Sequence, residues 1–198
     1  EGLTPFLKIN IKYQIDLLRG LKYAHQNNKW LDWGEILDFI VKLISGNRFW
    51  QKELNADSVQ EIASLLETGL NSEKKSISNE YLPMVEMILV SIFEEFKEEK
   101  FEQSAYKDPS LFILNTGIGR LLIASLELSL RKSKERKNKT WGTIKQIFDN
   151  RLKSNSQRTS TSIIILEFFQ DFHFLDSEWL EIKLKDILKS SWELAMKT

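Results

Sequence analysis

The sequence predicts an all-α protein, and three observations carry that prediction. Apolar residues recur at steps of three and four along most of the 198-residue chain. Only eight glycines and three prolines interrupt it, too few for a turn-rich β fold. Six tryptophans and twelve phenylalanines supply large anchors for helix–helix packing. With 42% hydrophobic and 28% charged residues the chain has a globular composition and enough length to bury a sizeable core.

The first predicted helix covers about 8–25, with Ile11, Ile15, Leu18 and Leu21 on one stripe. The polar run from Gln26 to Lys29 ends it. Asp32 and Glu35 have the spacing of a capping box, with Asp in place of the usual Ser or Thr. The helix they open carries Ile36, Leu37, Ile40, Val41 and Ile44 and stops near Gly46 and Asn47. A third begins near Asp57 or Ser58, with Glu61 three residues after Ser58, and aligns Ile62, Leu65, Leu66 and Gly69. A polar loop follows over 71–76. The fourth starts around Leu82, where Pro83 suits the first turn, and presents Val85, Ile88, Leu89, Ile92, Phe93 and Phe96.

The break at Tyr106-Lys107-Asp108-Pro109-Ser110 marks a candidate subdomain boundary near 101–112 within an otherwise single helical domain, 1–198. Helix five then runs from about Thr116 to Lys137, and helix six from Trp141 to Lys153. The β-branched run 162–169 suits a strand, yet no other strand is predicted to pair with it, so it reads as a buried helix. The last helix spans about 177–196. About eight helices with short connections imply antiparallel pairs, either an α-solenoid of HEAT type or an irregular helical bundle. A faint internal echo, Trp30-Leu31-Asp32 and Phe174-Leu175-Asp176, precedes helices two and eight.

The motif that most resembles chemistry is Asn115-Thr116-Gly117-Ile118-Gly119-Arg120. A short strand at Leu111–Leu114 ahead of it would make a dinucleotide-binding turn. The third glycine is missing, however, and the flanks are helical, so no parallel sheet supports a phosphate loop. The alternative is that Asn115 or Thr116 caps helix five while the small residues let its first turn pack closely.

Other catalytic signatures are weak. The chain has no Cys, which excludes thiolate catalysis, disulfides and cysteine zinc sites and fits a cytoplasmic location. His25 sits near a helix end, and His173 lies between Phe172 and Phe174 as a packed, aromatic-like residue. Neither has metal-ligand spacing. Glu94, Glu95, Glu98 and Glu99 alternate with lysines as a solvated helix end does. The expectation is therefore no catalytic residue, no metal and no cofactor. No apolar run reaches the ~20 residues of a membrane span, and no signal peptide is visible. The chain opens on Glu1-Gly2-Leu3, which suggests a processed chain or a piece of a longer one.

Net charge is zero, but the segment 131–158 holds ten Lys/Arg against two acids. Arg131, Lys132, Lys134, Arg136, Lys137 and Lys139 crowd the end of helix five, where cations complement the helix dipole. Trp141 just beyond them would stack on a base if exposed, and would open helix six if buried. This cluster is the candidate contact with nucleic acid or an acidic partner.

Taken in order, Trp30-Leu31-Asp32-Trp33, the run 62–70, Leu114-Asn115-Thr116, Gly119-Arg120 and Leu175-Asp176-Ser177-Glu178-Trp179 form a pattern. It resembles the helical-repeat regions of very large bacterial proteins whose other domains are often NTPase or sirtuin-like effectors in antiphage defence. The resemblance implies a scaffold or sensor segment and transfers no catalytic residue. The resulting expectation is a non-catalytic helical scaffold that recognises a protein partner or other domains of a longer chain, assembles or senses. The alternative is a helical nucleic-acid binder using 131–158. An enzyme built on an unfamiliar carboxylate site is the third class.

Overall fold

In a computed structural model, residues 2–27, 29, 31–50, 55–71, 76–96, 109–136 and 141–195 are described, and every regular element among them is helical. The helices are α1 (Ile11–Gln26), α2 (Trp33–Ile44), α3 (Asn47–Trp50), α4 (Asn55–Asn71), α5 (Leu82–Glu95), α6 (Pro109–Leu114), α7 (Gly117–Arg136), α8 (Gly142–Lys153), α9 (Arg158–Glu167) and α10 (Phe169–Ala195). Short 3₁₀ turns at Thr4–Lys8 and Asn79–Tyr81 precede α1 and α5.

Local chemistry explains most boundaries. The Asp32 carboxylate accepts the Glu35 amide at 3.1 Å and caps α2. The reciprocal half of the capping box is not made, because the Glu35 side chain takes the Leu3 amide at 2.7 Å and anchors the N-terminal turn instead. Pro83 lies in the first turn of α5, where its missing N–H is harmless. The run 162–169 falls mostly within α9, with Ile164 and Ile165 buried. There is no strand among the described residues, so burial overrides the β preference of its isoleucines.

The sequence reading missed α3 and α6, each too short to show a helical period. It also placed the start of α4 too late. Ser58 and Glu61 are interior to that helix, and Glu61 is an ion-pair centre rather than a capping residue. Of the proposed boundary at 101–112, residues 101–108 lie outside the described residues, and 109–112 belong to α6, which packs on α7 and α9. The loop at 71–76 likewise includes 72–75, outside that description.

Helix directions follow from the contacts. Gly117 faces Ala56 and Gln60, Arg120 bonds Glu67, and Arg131 reaches the Leu70 carbonyl, so α4 and α7 run the same way. Lys132 pairs with Glu86 while Phe96 lies against Gly117, so α5 runs opposite to α7. Trp33 lies against Gly69 and Gly34 against Tyr81, which sets α2 antiparallel to α4 and parallel to α5. Helical hairpins α1/α2 and α4/α5 are thus laid side by side, and α7 continues the row. One hydrophobic cluster runs unbroken from Leu18 to Ile187.

The most enclosed element is α7, in which 121–126 are all buried. Its buried Ser125 and Ser129 hydroxyls donate to the Leu121 and Ser125 carbonyls at 2.8 Å, which satisfies them inside the core. At the far end, α10 is broken at Asp176, whose φ of −162° and ψ of 88° are extended. Its carboxylate accepts the Trp179 amide at 3.0 Å and starts the second half of α10. The two members of the sequence echo, Asp32 and Asp176, therefore make the same N-cap three residues before the amide they hold.

Candidate interaction surface

The glycine motif resolves as a helix start. Thr116 is the cap: its hydroxyl accepts the Gly119 amide at 3.1 Å and donates to the Ile113 carbonyl at 2.8 Å. A Cβ on Gly119 would stand 1.9 Å from that same carbonyl oxygen, and one on Gly117 would stand 3.1 Å from the Ala56 carbonyl. Both glycines are there because backbone crosses backbone at this point. Asn115 accepts from Arg120 at 3.2 Å, and Arg120 also bonds Glu67 at 3.2 Å. The polar atoms of the motif are engaged by the fold.

The basic segment divides. Arg131 donates to the Leu70 carbonyl, to Ser76 Oγ at 3.3 Å and to Asn79 Oδ1 at 3.2 Å, tying α7 to the end of α4 and to the segment leading into α5. Lys132 pairs with Glu86 at 2.8 Å. Lys134 is exposed. Arg136 ends α7 with its side chain outside the described residues, and Lys137 and Lys139 lie outside them altogether. Further along, Lys145 pairs with Asp176 at 2.6 Å. Arg151 is buried, bonding Thr161 at 3.1 Å and Ser160 at 3.3 Å with its guanidinium over the Phe93 ring. Arg158 donates to the Asp186 carbonyl at 2.8 Å. Charge density read along the chain thus overstates what faces a ligand, because these cations hold neighbouring helices together.

Trp141 takes the buried alternative. Its ring lies 4.8 Å from Trp179, 5.9 Å from Phe148 and 5.9 Å from Phe172, at the centre of an aromatic cluster joining α8 to α10. Stacking on a nucleobase is closed to it in this fold. His25 is buried edge-on to Trp33 at 5.3 Å. His173 is exposed rather than packed inside, and its ring stacks on Phe169 at 6.1 Å. No group of three His, Asp or Glu among the described residues is arranged for a metal ion. Glu94 and Glu95 are exposed, as a solvated helix end requires, while 98 and 99 lie outside the described residues.

Three carboxylates with lowered pKa values are members of structural ion pairs. Burial pushes the Asp149 carboxyl up, but Lys183 at 2.6 Å and the Trp179 indole at 3.1 Å outweigh it and leave the group below its ordinary value. Asp176 is lowered in the same way: burial opposes, and Lys145 and the Trp179 amide win. Glu61 is lowered against its burial by Lys22 at 2.7 Å and Arg19 at 2.8 Å. Glu127 goes the other way. Its burial is the main cause, Asp171 and Glu67 add to it, and the Asn71 hydrogen bond does not compensate.

Concave surface is modest. A recess of about 240 Å³ between α8 and α10 is lined by Asp149, Arg158, Lys183 and Asp186, where Lys183 pairs with Asp149 and Arg158 donates to the Asp186 backbone carbonyl. A second, of about 290 Å³, lies between α5 and α8 beside Phe93, Gln146 and Arg151. Exposed large apolar side chains among the described residues are Phe6, Tyr13, Tyr23, Met87 and Leu111, and five more toward the C-terminal end. Leu166, Phe169 and Phe174 are exposed around the α9–α10 corner, and Ile182 and Leu188 along the second half of α10. Neither Ile182 nor Leu188 serves helix packing. Their neighbours Leu180, Leu184 and Ile187 fill that role, since each lies on the side of the helix turned toward α8 and α9.

No family model, curated protein or solved structure matches this chain. Among the described residues no helix is long and apolar enough to cross a membrane.

Proposed function

We propose that this chain is a non-catalytic helical scaffold that recognises another protein through the corner formed by the end of α9 and the start of α10. The observation that carries the reading is the exposure of Leu166, Phe169 and Phe174 on one corner, with His173 stacked on Phe169. Helical spacing within α10 supports it: Phe169, Gln170 and His173 follow steps of one and three, and all three are exposed. Clustered apolar and aromatic side chains at a surface are the usual mark of a protein contact. The helical-repeat resemblance points the same way, toward a segment that assembles or senses within a larger protein.

The test is a photocrosslinker at Gln170 in the native host. A discrete protein adduct that Phe169→Asp and Phe174→Asp both abolish supports the reading. Loss of any adduct, together with salt-sensitive capture of an oligonucleotide by the purified chain, would transfer the function to the basic segment. That second reading rests on exposed Lys134 at the exit of α7, ahead of Arg136, Lys137 and Lys139. It predicts that Glu at 136, 137 and 139 removes the binding.

A further inference from the structure

The second half of α10 carries a pattern that the scaffold reading does not use. Glu178, Glu181, Ile182, Lys185 and Lys189 follow steps of three, one, three and four, which puts them on one face of the helix, and all are exposed. Ile182 is 60% exposed at its middle, and Leu188, 59% exposed, flanks it. Lys183 turns the other way to pair with Asp149, while exposed Asp186, four residues after Ile182, borders the face and its backbone carbonyl holds Arg158. Among the described residues none of Glu178, Glu181, Lys185 or Lys189 is ion-paired, unlike the cations facing the core.

The face is acidic at its start and basic at its end, so it is complementary to itself when reversed. An antiparallel copy centred near position 183 sets Glu178 against Lys189 and Glu181 against Lys185, with the two Ile182 side chains meeting near the two-fold axis. A two-fold contact requires such self-complementarity. We infer that this face of α10 pairs with the same face of a second copy of this chain. The inference deepens the scaffold reading and rests on it, since it names self-assembly as one use of the scaffold. The face is about 16 Å long. A contact of that size is below the usual span of stable interfaces and forms a transient dimer.

Sedimentation velocity over about 10 µM to 1 mM, concentrations suited to weak association, is expected to show a concentration-dependent dimer that added salt weakens. The variants E178K/E181K and K185E/K189E each convert attraction into repulsion, so each alone associates at least about tenfold more weakly. Their equimolar mixture recovers association as a heterodimer, seen as a mixed-mass species by native mass spectrometry. All four substituted side chains are exposed, and unchanged helical circular dichroism verifies that both variants fold. Wild-type protein monomeric throughout the range, or a mixture that forms no heterodimer, overturns the inference. If the Gln170 crosslink persists under that outcome, only self-association has failed and the scaffold reading stands. A dimer that forms normally while the crosslink is lost supports the α10 pairing and removes the partner site at the corner.

Discussion

Two junctions in this row of helices are held by different means. Where α4 meets α7, backbones approach closely because Gly117 offers no side chain, and the filling is aliphatic: Val59, Ile62, Leu66, Leu121 and Leu122 are fully buried. Where α8 meets α10, four large rings, Trp141, Phe148, Phe172 and Trp179, occupy the same role, with Asp149 and Asp176 pairing across the junction. The first junction fails by being overfilled and the second by being emptied. That difference orders the perturbations that separate them.

Emptying the aromatic junction has the largest expected effect. Phe172 is fully buried, with ring centroids 5.1 Å from Phe148 and 5.9 Å from Trp141. Phe172→Ala should cost about 3–5 kcal/mol in denaturant unfolding, from lost burial and the cavity left behind. A loss under about 1 kcal/mol would mean that the rings repack freely and that the junction is not cohesive. Overfilling the turn between α6 and α7, beside the glycine junction, comes next. Gly119→Ala drives a Cβ against the Ile113 carbonyl and should cost about 1–3 kcal/mol despite alanine's better helix propensity. Gly20 on α1 is the control, with nothing within 4 Å of a new Cβ. Gly20→Ala should stabilise by about 0.5–1 kcal/mol. Similar outcomes at the two glycines in thermal melts would remove close approach as the reason for Gly119.

These junctions were unequally legible in the sequence. The helical period of α1, α2, α4, α5 and α8 was readable because each buries one stripe and wets the other. Asp32 and Pro83 marked two helix starts through local chemistry alone. By contrast, α3 and α6 are shorter than the period that would reveal them. The break at Asp176 was visible as a helix start, but the sequence does not show that Phe169–Leu175 is already helical ahead of it. The candidate site fared worse. Ten cations close in sequence looked like one patch, whereas Arg131, Lys132, Lys145, Arg151 and Arg158 are taken up by partners spread over several elements. Charge spacing along a chain does not specify which helix a long side chain will reach. Nor could periodicity distinguish Ile182 from Ile187, since both belong to an apolar series and only the placement of α8 decides which is covered.

The smallest perturbation sharpens the comparison electrostatically, through carboxylates whose affinities move in opposite directions. Asp149 and Asp176 have lowered pKa values in the folded protein because their lysine partners outweigh burial. Their contribution to stability is therefore present above the unfolded value of about 3.9 and is lost as pH falls through the lower folded values. Glu127, on α7 beside Asn71, is raised by burial and by the nearby Asp171 and Glu67. The folded state then holds its proton more tightly than the unfolded chain does. Its charge becomes destabilising as pH rises past the unfolded value near 4.3, and the penalty is complete above the raised folded value. At neutral pH, D149N/D176N should thus lower the unfolding midpoint, and Glu127→Gln should raise it slightly. In acid, below all these values, each variant should converge on the parent protein. Midpoints measured from pH 7 down to about 3 check both signs at once, and a Glu127→Gln protein less stable than its parent at neutral pH would show that the carboxylate is held by a favourable contact at the α4–α7 junction.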